Sequence, residues 1–187
     1  MRALIIVDVQ NDFCPGGALP ARDADKIIPN INKLAELFPV VVASRDAHPL
    51  NSKHFDKWPV HCIKDTHGAA YHPDLDADQI DQEFLKGTDG NDDGYSAFEA
   101  TNKDLADYLH QKKVREIFVC GLTTEYCVKN TVLDGKQKGF QTNLVVDAIA
   151  AVEPDSKNEQ EATKLMASKG IAFTTSREIY DILNLKN

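Results

Sequence analysis

Apolar positions along the chain fall into short unbroken runs, separated by stretches with helical spacing. Ala3-Leu4-Ile5-Ile6-Val7 and Val40-Val41-Val42-Ala43-Ser44 are continuous and rich in β-branched residues. That is the pattern of strands buried on both faces. Glu116-Ile117-Phe118-Val119-Cys120, Thr142-Asn143-Leu144-Val145-Val146 and Ile171-Ala172-Phe173-Thr174 repeat it, and Gln82-Glu83-Phe84-Leu85-Lys86 is a shorter, more polar version. Between these runs, Ile27, Ile28, Ile31, Leu34 and Leu37 recur at helix spacing. Leu105, Tyr108 and Leu109 share one helical face, with Thr101 as the expected cap. Gly121 is expected to end its strand before a helix from near Thr124, and the strand from Thr142 to end at Asp147. Ser156 and Glu159 have capping-box spacing ahead of a face made by Ala162, Leu165 and Met166, with Gly170 just past its end. Ile179, Ile182 and Leu183 mark a terminal helix.

Strands alternate with helices from end to end, which predicts βαβ units. The expected fold is α/β: a single three-layer α/β/α domain over 1–187, with a mainly parallel, doubly wound sheet of about six strands. One stretch, about 45–77, has no sustained periodicity and is rich in His, Asp, Pro and Lys. Phe55, Trp58, Cys62, Ile63 and Tyr71 give it apolar anchors. Loops this long inside a domain are uncommon and usually functional or disordered, and the anchors favour function.

A chain of 187 residues suits one domain. A net charge of −8 argues against a nucleic-acid partner and against anionic membranes. No apolar run approaches the ~20 residues of a membrane helix. The four cysteines form no CxxC pair, and the N-terminus has no signal-like pattern, so reduced thiols and a cytoplasmic location are expected.

Open parallel sheets bind ligands beyond the carboxyl ends of their strands. Asp8, Asp46, Lys86 and the Gly121-to-Cys127 turn all fall at that edge. Cys127, in an expected first helical turn, lies near backbone N–H groups and the positive end of the helix dipole. Both should lower its thiol pKa from about 8.5, making it the candidate nucleophile. The alternative is an inert buried thiol. Asp8 is a candidate general base and Lys86 a partner for it; a strand-end salt bridge and a solvated surface charge are the plainer alternatives. Asp46, His48, His54 and His61 combine one carboxylate with imidazoles, which suits one divalent transition metal such as Zn, Fe or Mn. Exposed loop residues are the alternative. Phe13 and Trp58 either floor a pocket for a planar ring or anchor their loops. Neither GxGxxG nor a P-loop occurs.

These residues together resemble a family. Ala3 to Phe13 followed by Pro15-Gly16-Gly17, Arg45-Asp46-Ala47-His48-Pro49, Trp58-Pro59-Val60-His61-Cys62, Phe84-Leu85-Lys86-Gly87 and Gly121-Leu122-Thr123-Thr124-Glu125-Tyr126-Cys127-Val128 occur in one order over nearly the whole chain. They are similar to the motifs of nicotinamidases (pyrazinamidases) in the isochorismatase-like cysteine hydrolase superfamily. The resemblance implies hydrolysis of nicotinamide to nicotinate and ammonia in NAD salvage, with pyrazinamide also accepted. It implies Asp8, Lys86 and Cys127 as catalytic residues. The backbone N–H groups of Thr123 and Cys127 would form the oxyanion hole, at a cis peptide between Leu122 and Thr123. Asp46, His48 and His61 would hold the metal, with His54 a further ligand in some members. Phe13, Trp58, Tyr95 and Leu122 would line the substrate pocket. Homo-oligomers are compatible with the resemblance. Other branches act on different small amides or carbamoyl compounds, and a non-catalytic metal- or ligand-binding protein is the alternative from another class.

Overall fold

The computed structural model of the chain describes residues 1–184. Six strands form one all-parallel sheet: β1 (Arg2–Val7), β2 (Val41–Asp46), β3 (Gln82–Lys86), β4 (Glu116–Leu122), β5 (Gln141–Ala150) and β6 (Ala172–Thr174). Their order is β3-β2-β1-β4-β5-β6. The winding reverses between β1 and β4, and that reversal opens a crevice beyond the strand ends. β1 pairs with β2 on one side and β4 on the other, so it is central. This position explains its unbroken apolar run, since both faces of the strand are covered.

Successive β1 side chains alternate between two cores. Leu4 and Ile6 join Ile28, Ile31 and Leu34 of α1 (Ile28–Ala35) and Ile179 of α5 (Ser176–Asn184). Ala3, Ile5 and Val7 join Leu105 and Leu109 of α2 (Leu105–Gln111), Val132 of α3 (Lys129–Gln137) and Met166 of α4 (Lys157–Ser168). Among the described residues, two helices cover one face and three the other, giving the three-layer, doubly wound arrangement expected from the pattern.

Several boundaries differ from expectation. β4 does not end at Gly121 but continues to Leu122, with Gly121 paired to Val7. A Cβ on Gly121 would lie 2.1 Å from the Val7 carbonyl oxygen, and the residue has φ of 109°, so glycine lets two backbones approach where a side chain would stop them. β5 runs beyond Asp147 to Ala150. The cap of α2 is Asp104, whose side chain accepts from the Asp107 N–H at 2.8 Å. Thr101 instead pairs its hydroxyl with Thr88. At α4, Ser156 accepts from the Glu159 N–H, but the Glu159 carboxylate takes the Asp155 N–H, one residue before the box position. Leu165 is exposed, while Ala162 and Met166 face inward. Gly170 closes α4 as expected: its N–H donates to Ala167 and that of Ile171 to Met166, a Schellman pair.

The long loop after β2 is held by local backbone turns, by an internal bridge from His48 to Ile63, and by a bridge from Tyr71 to Gln10 outside it. Arg45 Nη1 donates to the Ala69 carbonyl at 2.7 Å. Among the described residues, no helix is long and apolar enough to cross a membrane.

Candidate active site

Three strand ends and one turn converge on a buried cluster. Asp8 follows β1, Asp46 ends β2 and Lys86 ends β3, and parallel register sets Asp46 beside Lys86. Cys127 lies on a single π-helical turn, Thr124–Val128, between β4 and α3. Asp8 and Lys86 are 0% exposed. The Lys86 ammonium lies 2.7 Å from Asp8 Oδ2, 2.5 Å from Asp46 Oδ1 and 3.5 Å from Cys127 Sγ. Asp8 Oδ1 accepts from Ser44 Oγ at 2.7 Å. Its Oδ2 faces Lys86 as an ion pair without hydrogen-bond alignment, which leaves that oxygen able to take a proton. One oxygen of each acid and the sulfur lie within 4.8 Å of one another.

Burial would discharge Lys86, but the facing carboxylates of Asp46 and Asp8 more than offset this and hold its ammonium well above its ordinary range. Burial raises the Asp8 carboxyl against the pull of Lys86. Asp46 is driven the other way: Lys86 and His48 overcome its burial and hold it below the ordinary carboxylate range. Two acids pushed apart in this way have different tasks, the raised one suited to proton transfer. The thiol contradicts the sequence expectation. Burial pushes Cys127 well above its ordinary value, and although Lys86 pulls it down, Asp8 and Asp46 push it further up. The resting group is a thiol, and a thiolate requires an acceptor such as Asp8.

Beside this cluster stand three imidazoles. The ring centroids of His48 and His54 are 4.5 Å apart, and each lies 5.3 Å from that of His61. Every Nδ1 is engaged: His48 with the Gly87 carbonyl at 3.0 Å, His54 with Asp92 Oδ1 at 3.0 Å, and His61 with the Pro59 carbonyl at 2.7 Å. A proton held at Nδ1 leaves the Nε2 lone pair free to ligate. His48 Nε2 is buried without a hydrogen-bond partner, 3.7 Å from Asp46 Oδ2. Burial lowers His54 to about 4 and His61 below its ordinary value, so both stay neutral near pH 7. Neutral nitrogens with one carboxylate oxygen fit a borderline divalent ion. Gly87 makes room for this set, since a Cβ there would lie 2.4 Å from His48 Cε1.

Between the two clusters opens a narrow cavity. Cys127 and Thr123 line it, with Asp46, His54 and His61, and aromatic wall comes from Phe13, Trp58, Tyr95 and Tyr126. Asp8, Lys86 and His48 lie behind this wall. Leu122, expected on the pocket surface, is fully buried in the apolar core and does not line the cavity. Alternation along β4 turns its side chain inward. The peptide between Leu122 and Thr123 is cis.

Several contributors lacked a sequence signal. Leu19, Gly94, Tyr126 and Val152 also line the cavity. Gln10, two residues past Asp8 and fully buried, grips Asp46: its Nε2 donates to the Asp46 carbonyl and its Oε1 accepts the Asp46 N–H, both at 2.8 Å. Asp92 joins His54 to Tyr95.

A doubly wound sheet carrying an acid, a lysine and a thiol at its switch point defines a three-layer α/β hydrolase. The family model described as the isochorismatase domain matches residues 2–178, and the chain belongs to that family. A nicotinamidase from Acinetobacter baylyi is 36% identical over 201 residues, covering 95% of this chain and 94% of the relative. A structure of pyrazinamidase from Pyrococcus horikoshii in complex with zinc superposes with a TM-score of 0.84 at 40% identity, covering 93% of this chain and 98% of that one. PnC1 from L. infantum in complex with nicotinate does so with a TM-score of 0.88 at 33% identity, covering 95% and 93%.

Proposed function

We propose that this chain hydrolyses nicotinamide to nicotinate and ammonia through a thioester on Cys127, and that it also accepts pyrazinamide. The observation that carries the reading is one thiol 3.5 Å from a buried ammonium and within 4.8 Å of a proton-accepting acid that the same ammonium pairs, at an aromatic-walled cavity that also carries His54 and His61. The names and bound molecules of the three relatives support the same substrate class.

Asp8 takes the Cys127 thiol proton, and Lys86 stabilises the thiolate beside it. The sulfur attacks the carboxamide carbon, a C–S bond forms, and the carbonyl π pair moves onto oxygen. The backbone N–H groups of Thr123 and Cys127 are the donors assigned to that oxyanion; preset donors of this kind contribute about 3–4 kcal/mol each. Collapse breaks the C–N bond, with the proton on Asp8 going to the leaving nitrogen, and ammonia departs. Asp8 then deprotonates a water that attacks the thioester; the C–S bond breaks, the sulfur is reprotonated and nicotinate leaves. Phe13, Trp58 and Tyr95 pack on the ring. Asp46, His48, His54 and His61 would hold a divalent ion such as Zn, Fe or Mn, which would supply Lewis acidity for orienting the substrate ring. The reaction belongs to NAD salvage, which the reading sets in the cytoplasm.

The test is direct. The folded, metal-loaded protein is incubated with nicotinamide, and ammonia and nicotinate are measured together. Equal release of both is expected; no ammonia would remove the reading.

A further inference from the structure

We propose that Asp92 is a positioning residue that ties the metal ligand His54 to the aromatic wall of the ring pocket; the inference rests on the metal reading above. Asp92 Oδ1 accepts from two groups at once, His54 Nδ1 at 3.0 Å and the Tyr95 hydroxyl at 2.8 Å. The same Tyr95 oxygen accepts from Trp58 Nε1 at 3.0 Å. The other Asp92 oxygen pairs with the Lys57 ammonium. One carboxylate therefore closes a chain from an imidazole to two of the four rings that wall the cavity, Tyr95 and Trp58.

Two consequences follow from this connectivity. Accepting from Nδ1–H fixes the His54 tautomer and aims Nε2 at His48 and His61, the usual task of a carboxylate behind a ligating histidine. The Tyr95 hydroxyl, with its proton given to Asp92 and a lone pair given to Trp58, is spent within the protein. Tyr95 then meets a ligand with its ring, and its place is set by the same carboxylate that sets His54. The indole of Trp58 stacks on the His54 ring at 6.1 Å and 21°. Trp58 is the single tryptophan of the chain, so tryptophan emission reports on the surroundings of this one indole.

The test uses the full, metal-free chain titrated with Zn²⁺ against a chelator of known affinity, with Trp58 emission followed in parallel and far-UV circular dichroism as the fold control. In the wild type, emission changes as zinc saturates. Asp92→Ala is expected to weaken zinc binding roughly 10–100-fold and to lose most of the emission change at saturating zinc. Asp92→Asn, which keeps an acceptor for Nδ1–H but loses the charge, should fall between the two. Tyr95→Phe should keep the zinc affinity and lose much of the emission change. Wild-type zinc affinity in Asp92→Ala, alongside a loss in His54→Ala, would overturn the role of Asp92. Should Asp92→Ala not fold, wild-type affinity and emission in Asp92→Asn would overturn it. Wild-type affinity in His54→Ala would show that His54 is no ligand, and the inference would fall with that part of the metal reading. Ammonia release by the wild type judges the catalytic reading separately.

Discussion

Lys86 Nζ lies 2.5 Å from Asp46 Oδ1, so the cation that faces the thiol is bonded to the carboxylate that faces the histidines. The two halves of the site share one buried ammonium. Removing that ammonium should do more than remove a catalytic contact. It leaves Asp8 and Asp46 facing each other away from water with no counter-charge.

Breaking a buried ion pair by deleting one partner costs about 3–5 kcal/mol, because the remaining charge stays uncompensated. Lys86→Met should therefore lose stability of this order in urea denaturation, together with its turnover. A stability within error of the wild type would mean that the two acids are not both charged around Lys86.

Acid should switch the reaction off at an unusually high pH for a carboxylate. Burial raises Asp8 above its ordinary value of 3.8, and only the deprotonated form can accept the thiol proton. As pH falls through the raised value, the base is lost. The acid limb of kcat/KM should thus lie above 3.8, and Asp8→Asn should be nearly inactive at every pH. A limb at or below the ordinary value, or an Asp8→Asn profile like that of the wild type, would remove Asp8 from this role.

The metal-free protein should lose stability on mild acidification. His54 is lowered from 6.5 to about 4 by burial first, then by His48. Between those values the unfolded chain binds more protons than the folded one, so stability present above 6.5 is lost as pH falls toward 4. His61, lowered in the same direction, contributes to the same slope. Tm of the metal-free protein should fall across this window, and His54→Gln should show a shallower fall. Identical slopes would mean that His54 is not held neutral by the fold.

Stripping the metal, or changing His61 to Ala, should raise KM for nicotinamide while slowing a ring amide without the ring nitrogen much less. Steady-state kinetics with both substrates on wild type and variant measures this. An unchanged KM for nicotinamide would mean that the histidines do not position the ring.

The inner strands were legible because double burial leaves β1 and β4 few polar positions, and the alternation with helices left few other topologies. Their ends were not. Gly121 reads locally as a break, but contact with Val7 makes it part of β4. Thr101 reads as a cap, but its hydroxyl belongs to Thr88. Asp8, Lys86 and Cys127 could be picked out as strand-end residues in motif order. The direction of the Cys127 pKa could not, because local sequence gives the turn without the depth at which two acids surround it. Asp92 sits in an acidic, glycine-bearing loop where nothing local sets it apart from Asp89 and Asp93, and only the folded chain brings it to His54.

The proposed reaction turns on a covalent bond at one sulfur. Rapid acid quench of the metal-loaded protein during turnover of nicotinamide, followed by peptide mass spectrometry, reads that bond directly. A nicotinoyl group on Cys127, absent from Cys127→Ala, is the predicted result. Turnover with no adduct on Cys127, and equal ammonia release by the Cys127→Ala variant, would contradict it.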